Sequence, residues 1–205
     1  MKKVALLFSA GVESSSLAVH YLANRYLVLP VYVKCGFSWE KTEVKWAQKL
    51  WVWLRKKYTS ILPFKIVPAK GLRPSDSGIE IPLRNLILIS SVAIEAKRKG
   101  INKVACGSLG IYPFPDNNRN FFDRLEALFS ENYREKIAID TPFMGKKKAE
   151  IVNAFYSKAP YHLTFSCMRP IKNQHCGKCE KCIERKEGFR QAGIPDPTFY
   201  FFKRS

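Results

Sequence analysis

Two hydrophobic rhythms alternate along this chain. Lys3 to Phe8 is a short apolar run rich in Val and Leu that stops at Ser9-Ala10-Gly11. From Ser14 to Ala23 the spacing changes, and Leu17, Ala18, Tyr21 and Leu22 fall on one side of a helix. The pattern predicts strand, tight turn, helix. Tyr26 to Lys34 reads as a second strand. Val44, Ala47, Leu50, Trp51, Leu54 and Tyr58 recur at three- and four-residue steps, so Glu40 to Tyr58 reads as an amphipathic helix. Phe64 to Ala69 follows as a third strand. Leu83 to Lys99 is a helix apolar nearly all round in its first half, with Gly100 as its C-cap. Lys103 to Gly107 and Ile137 to Asp140 supply two further strands, and Phe121 to Phe129 and Lys146 to Phe155 two further helices. Such alternation implies a parallel sheet with helices on both faces.

After about Thr164 the composition shifts to cysteine, lysine and glycine. The expected division is therefore an α/β domain over 1–163 and a small metal-bound segment over 164–205. A length of 205 residues suits that arrangement, and 46% hydrophobic residues suffice for a full core. No apolar stretch approaches the roughly 20 residues of a membrane span. The start, Met1-Lys2-Lys3, lacks a signal-peptide cleavage pattern, so a cytoplasmic protein is expected. Lys and Arg total 35 against 17 acids, a net charge of +18. That field attracts polyanions and equally serves a solvated surface, so nucleic acid is compatible with the charge without being required by it.

Four of the six cysteines cluster: Cys167, then Cys176, Cys179 and Cys182 at x2 spacing. Short x2 steps let a tight turn aim two sulfurs at one ion, with Gly177 supplying the backbone freedom. Four thiolates with no open position describe a structural tetrahedral zinc site. An iron–sulfur cluster is the competing reading, but that spacing normally continues with a downstream cysteine and proline, and Ile183 follows Cys182 here. His175 is expected to hydrogen-bond or be solvated instead of ligating. Cys35 and Cys106 read as small buried hydrophobes.

Ser9-Ala10-Gly11-Val12-Glu13-Ser14-Ser15 lies between the first strand and the first helix. Small residues let backbone N–H groups approach an anion, the helix N-terminus adds partial positive charge, and the serines add hydroxyl donors. The stretch has neither a Walker lysine nor the three glycines of a dinucleotide fingerprint. Its place, at the carboxyl end of the first strand of a parallel sheet, is where ligands of such folds bind.

Taken together, these residues resemble a known family. The turn is similar to the Ser-Gly-Gly-x-Asp-Ser pyrophosphate loop of the N-type ATP pyrophosphatases. The succession Ile81-Pro82-Leu83-Arg84-Asn85-Leu86, Gly107, Pro115-Asp116, Thr141-Pro142, Lys148-Ala149-Glu150-Ile151, Thr164-Phe165-Ser166-Cys167, the cysteine triplet with Arg185, and Asp196-Pro197-Thr198 resembles the 7-cyano-7-deazaguanine synthase (QueC/ExsB) family over nearly the whole chain. The resemblance implies a Rossmann-like five-stranded parallel sheet and one zinc held by four cysteines. It implies a carbon–nitrogen ligase that uses ATP to turn 7-carboxy-7-deazaguanine and ammonia into the nitrile, a precursor of queuosine or archaeosine in tRNA. Family members commonly pair, so a homodimer is expected.

Within that frame, Ser9 to Ser15, Asn85 and Gly107 would hold the nucleotide, with Mg²⁺ bridging its phosphates. Lys148 and Arg84 would neutralise charge that builds as pyrophosphate leaves. Asp116 would contact the base or accept a proton from ammonia. Two departures fall in the turn: Ala10 stands where the family has a second glycine, and Glu13 where it has Asp. Alanine tolerates positive φ poorly, at a cost of order 1 kcal/mol. The family usually carries an Asp and a Tyr in the segment before Pro-Asp, where this chain reads Leu109-Gly110-Ile111-Tyr112-Pro113-Phe114. The alternatives are a diverged adenylase acting on another carboxyl, on tRNA or on protein, and a non-catalytic zinc module that binds nucleotide or RNA.

Overall fold

The computed structural model describes residues 1–69, 81–112 and 114–202, so that Pro113 of the segment above lies outside the described residues. Among the described residues, five strands form one sheet in the order β3-β2-β1-β4-β5, and every pairing is parallel. The strands are β1 (Lys3–Leu7), β2 (Leu27–Lys34), β3 (Lys65–Pro68), β4 (Lys103–Ala105) and β5 (Ala138–Asp140). The helices are α1 (Val12–Ala23), α2 (Glu40–Lys57), α3 (Arg84–Arg98), α4 (Arg119–Tyr133), α5 (Lys148–Phe155) and α6 (Glu180–Gln191). No helix among them is long and apolar enough to cross a membrane.

The pleat explains why the two central strands β1 and β2 are apolar along most of their length. Successive side chains point to opposite faces, and both faces are covered. Val4, Leu6, Val28 and Tyr32 pack with α1, α2 and α5 on one side. Ala5, Leu29, Val31 and Val33 pack with α3 and α4 on the other. The helix α2 buries Ala47, Leu50 and Leu54 at helical spacing and turns its lysines outward. The helix α4 opens on Asn118, whose side chain accepts the Phe121 N–H at 2.9 Å.

The helix α6 is absent from the sequence-based expectation. Its buried face is Cys182, Arg185, Gly188 and Phe189. The spacing is helical, but Arg185 and Gly188 carry no hydrophobic signal. The helix packs against α5, and Phe189 joins the same core cluster as Leu6 and Leu17.

Candidate functional site: an anion turn beside a four-cysteine centre

The chain leaves β1 and turns through Ser9 to Gly11 into α1. Ala10 takes φ +61°, the left-handed conformation that favours glycine. The Ser15 hydroxyl donates to the Gly11 carbonyl at 2.8 Å, and the Ser14 hydroxyl to the same oxygen at 3.3 Å. The Gly11 N–H reaches the Ser9 hydroxyl at 3.4 Å. The first N–H groups of α1, at Val12, Glu13 and Ser14, have no intrahelical acceptor, as in any helix.

At the end of β4, Gly107 lies against this turn. A Cβ placed there would come within 2.9 Å of the Glu13 Cβ and 3.3 Å of the Ser14 nitrogen, so only glycine allows the approach. From the other side, Lys148, the first residue of α5, places Nζ 2.5 Å from Glu13 Oε1. Its Nζ also lies 2.9 Å from Glu184 Oε1 on α6. The Lys148 side chain is only 12% exposed. Burial alone would lower its pKa, but the two carboxylates outweigh burial and raise it, so the ammonium stays charged. Burial would likewise raise the Glu184 carboxyl, but the Lys148 and Lys181 ammoniums hold it down at about 2. The Lys181 ammonium also lies over the Tyr112 ring, 5.0 Å from its centroid.

A second group forms around the start of α3. Asp116 accepts the Asn85 backbone N–H at 2.7 Å, and Asn85 Nδ2 donates to the Asp116 carbonyl at 2.9 Å. Asp116 therefore caps α3. The neighbouring Asn117 is hydrogen-bonded by Ser108, which ties this group to the Gly107 strand end. Arg84 is exposed at the first position of α3, and its charge is felt by Cys35 and Glu43 across the edge of β2. Thr141, after β5, is held by Arg119 at 3.2 Å. Ser9 to Ser15, Gly107 and Lys148 thus meet in one place, while Arg84, Asn85 and Asp116 meet in another along the same sheet edge. Glu184, Lys181, Tyr112 and Gly188 were missed by the sequence reading, because each owes its place to α6 or to the loop after β4. An open groove of about 600 Å³ along α2, lined by Lys45, Trp46, Lys49 and Asn173, shares no residue with either group.

Cys167, Cys176, Cys179 and Cys182 are all buried, and their sulfurs lie within 4.8 Å of one another. Backbone N–H groups of Arg169 and Cys176 donate to the Cys167 sulfur at 3.4 and 3.3 Å. Those of Lys178 and Cys179 donate to the Cys176 sulfur at 3.4 and 3.3 Å. Such donors stabilise thiolate charge. Gly177 takes φ +85°, and a Cβ there would meet the Phe202 carbonyl at 2.6 Å. His175 is buried, and its Nε2 accepts the Ser166 N–H at 3.2 Å. Burial, aided by Arg185, pushes its pKa down to about 3, so the ring is neutral. It is hydrogen-bonded, as the sequence suggested. The residues fit a metal ion: four soft donors converge, and among the described residues no carboxylate or histidine joins them.

These features define an α/β protein with a small-residue turn at the carboxyl end of the first strand of a parallel sheet and a buried four-cysteine cluster that could hold a metal ion. The family model described as Queuosine biosynthesis protein QueC matches residues 3–193, and the chain belongs to that family. Curated relatives named 7-cyano-7-deazaguanine synthase include one from Nautilia profundicola, 28% identical over 98% of this chain and 99% of its own. Another, from Methanothermobacter thermautotrophicus, is also 28% identical, over 98% of this chain and 99% of its own. A synthase 1 from Sulfurisphaera tokodaii is 29% identical over 97% and 98%. Among solved structures, the U34-tRNA thiolase NcsA from Methanococcus maripaludis with its [4Fe-4S] cluster matches at TM-score 0.49 and 14% identity, over 93% of this chain and 67% of that one. A likeness of that size does not bear on function.

Proposed function

We propose that the protein is an ATP-dependent ligase that converts 7-carboxy-7-deazaguanine and ammonia into 7-cyano-7-deazaguanine. The observation that carries this reading is the Lys148 ammonium set 2.5 Å from Glu13 in the turn after β1, in a chain of the QueC family. A carboxylate is a poor acyl donor, so ATP must first activate it. Charge then builds on the departing pyrophosphate. The free N–H groups at the start of α1 suit that anion, and Lys148 supplies a fixed positive charge beside them. Mg²⁺ accompanies the nucleotide and neutralises its phosphates. Arg84 is assigned to add charge at the α3 end of the site, and Asp116 to meet the base or take a proton from ammonia.

The cysteine centre is assigned a structural role with zinc. Tetrahedral zinc at about 2.3 Å per bond sets its sulfurs roughly 3.8 Å apart. The separations of 3.8 Å for Cys167–Cys179, 4.0 Å for Cys176–Cys182 and 3.5 Å for Cys179–Cys182 favour one ion over a larger cluster. Residues 1–163 then carry the nucleotide chemistry and 164–205 the clasp that completes it.

The test is to incubate protein, ATP, Mg²⁺, ammonium and 7-carboxy-7-deazaguanine and to follow products by mass. Nitrile formation with pyrophosphate release is expected. Folded, metal-loaded protein that makes neither amide nor nitrile would refute the reading.

A further inference from the structure

Lys148 is gripped from two elements that serve different ends. Glu13 belongs to the turn. Glu184 belongs to α6, the helix that has Cys179 as its N-cap and contains Cys182. The two oxygens of Glu184 are divided: Oε1 lies 2.9 Å from Lys148 and Oε2 lies 2.8 Å from Lys181. One turn further on, Gly188 leaves room for the Lys148 stem, since a Cβ there would stand 2.6 Å from Lys148 Cδ and 2.7 Å from its Cγ. A single helix therefore provides a slot for the side chain and a charge for its tip. With Glu13 alone, a lysine has many rotamers that reach one carboxylate. With both, the tip is fixed between two points.

We propose that Glu184 is a positioning residue, which holds the Lys148 ammonium at the turn and so ties the anion site to the four-cysteine centre. The inference rests on the reading of the turn as the ATP phosphate site. Its sign separates it from a simple field effect. Glu184 is a negative charge near an anion site, so its removal would tighten anion binding if charge alone mattered. A positioning role demands the opposite.

The experiment measures the affinity of metal-loaded wild type, Glu184→Ala and Glu184→Gln for ATP and for inorganic pyrophosphate by calorimetry, with metal content and melting recorded alongside. In Glu184→Ala, both affinities are expected to weaken about tenfold, equivalent to about 1.4 kcal/mol. Metal stoichiometry should be unchanged. Glu184→Gln, which keeps an acceptor without the charge, should fall between, and it carries the test if the alanine variant loses metal. Unchanged or tighter binding in the variants overturns the proposal. A wild type that binds neither ATP nor pyrophosphate overturns the phosphate-site reading, and the proposal with it.

Discussion

Ala10 shows how a residue that suits its turn poorly is kept there. At φ +61° its Cβ crowds the backbone, a cost of about 1 kcal/mol. Yet the residue is fully buried in the core cluster on the α1 face, and burying a methyl returns about 0.8 kcal/mol. Strain and burial nearly cancel. Ala10→Gly should therefore change stability by less than about 1 kcal/mol, whereas Ala10→Val, β-branched at positive φ, should cost about 2 kcal/mol or more. Denaturant midpoints at constant slope check both. The sequence alone revealed the strain but not the burial that offsets it. Glu43 gives a second prediction. Burial pushes its carboxyl up to about 7, against the Tyr32 hydroxyl and Arg84, which pull it down. An unfolded glutamate titrates near 4.3. Between those values the folded protein keeps a proton that the unfolded chain has released, so stability falls as pH rises through the window. Glu43→Gln should remove that slope, narrowing the stability difference between pH 5 and pH 8 by about 2 kcal/mol.

At the scale of elements, what the sequence disclosed followed its hydrophobic rhythm closely. The strands and helices before Thr164 are where the alternation puts them, with ends moved by only a few residues, because each buries aliphatic side chains at period two or 3.6. The helix α6 escaped because its buried stripe is made of Cys182, Arg185, Gly188 and Phe189. A buried cysteine of the four-thiol cluster, an ion pair and a slot do the work that leucines do elsewhere. The Glu13–Lys148–Glu184 grouping escaped for the same reason, since it exists only once α6 is laid against α5. The turn and the cysteine cluster were legible because their residues are neighbours in sequence. Gly188 tests the slot itself. Alanine raises helix propensity by about 1 kcal/mol over glycine, but here its Cβ meets the Lys148 stem near its root, at 2.6 to 3.2 Å. Gly188→Ala should leave α6 helical by circular dichroism and weaken ATP binding several-fold. If affinity is untouched, Lys148 does not depend on the slot.

Across the whole molecule, the cysteine segment is fastened to the α/β unit at several points. The Phe165 N–H donates to the Ala10 carbonyl inside the turn at 2.9 Å. Phe165 also stacks on Trp46 of α2 at 6.0 Å, and the Trp46 Nε1–H donates to the Asn173 carbonyl at 3.0 Å. Arg185 is fully buried; within the segment it pairs with Asp196 at 3.0 Å and donates to Thr164 Oγ1 at 2.6 Å, and across to the α/β unit it donates to the Tyr161 carbonyl at 3.1 Å. A buried charge stripped of its partner is costly, so these bonds must hold or fail together. The consequence concerns cooperativity. A segment that folded by itself would melt by itself when its metal is lost. Here Phe189 of α6 belongs to the main core and α6 packs against α5, so loosening the segment unpacks α5. Cys179→Ser should therefore abolish stoichiometric metal binding and lower the melting temperature of the entire chain as one transition. Calorimetry on the metal-loaded wild type and on the variant distinguishes the cases. A single shifted peak is expected, and a separate low-temperature peak with the main transition unmoved would show that the clasp and the α/β unit are energetically independent.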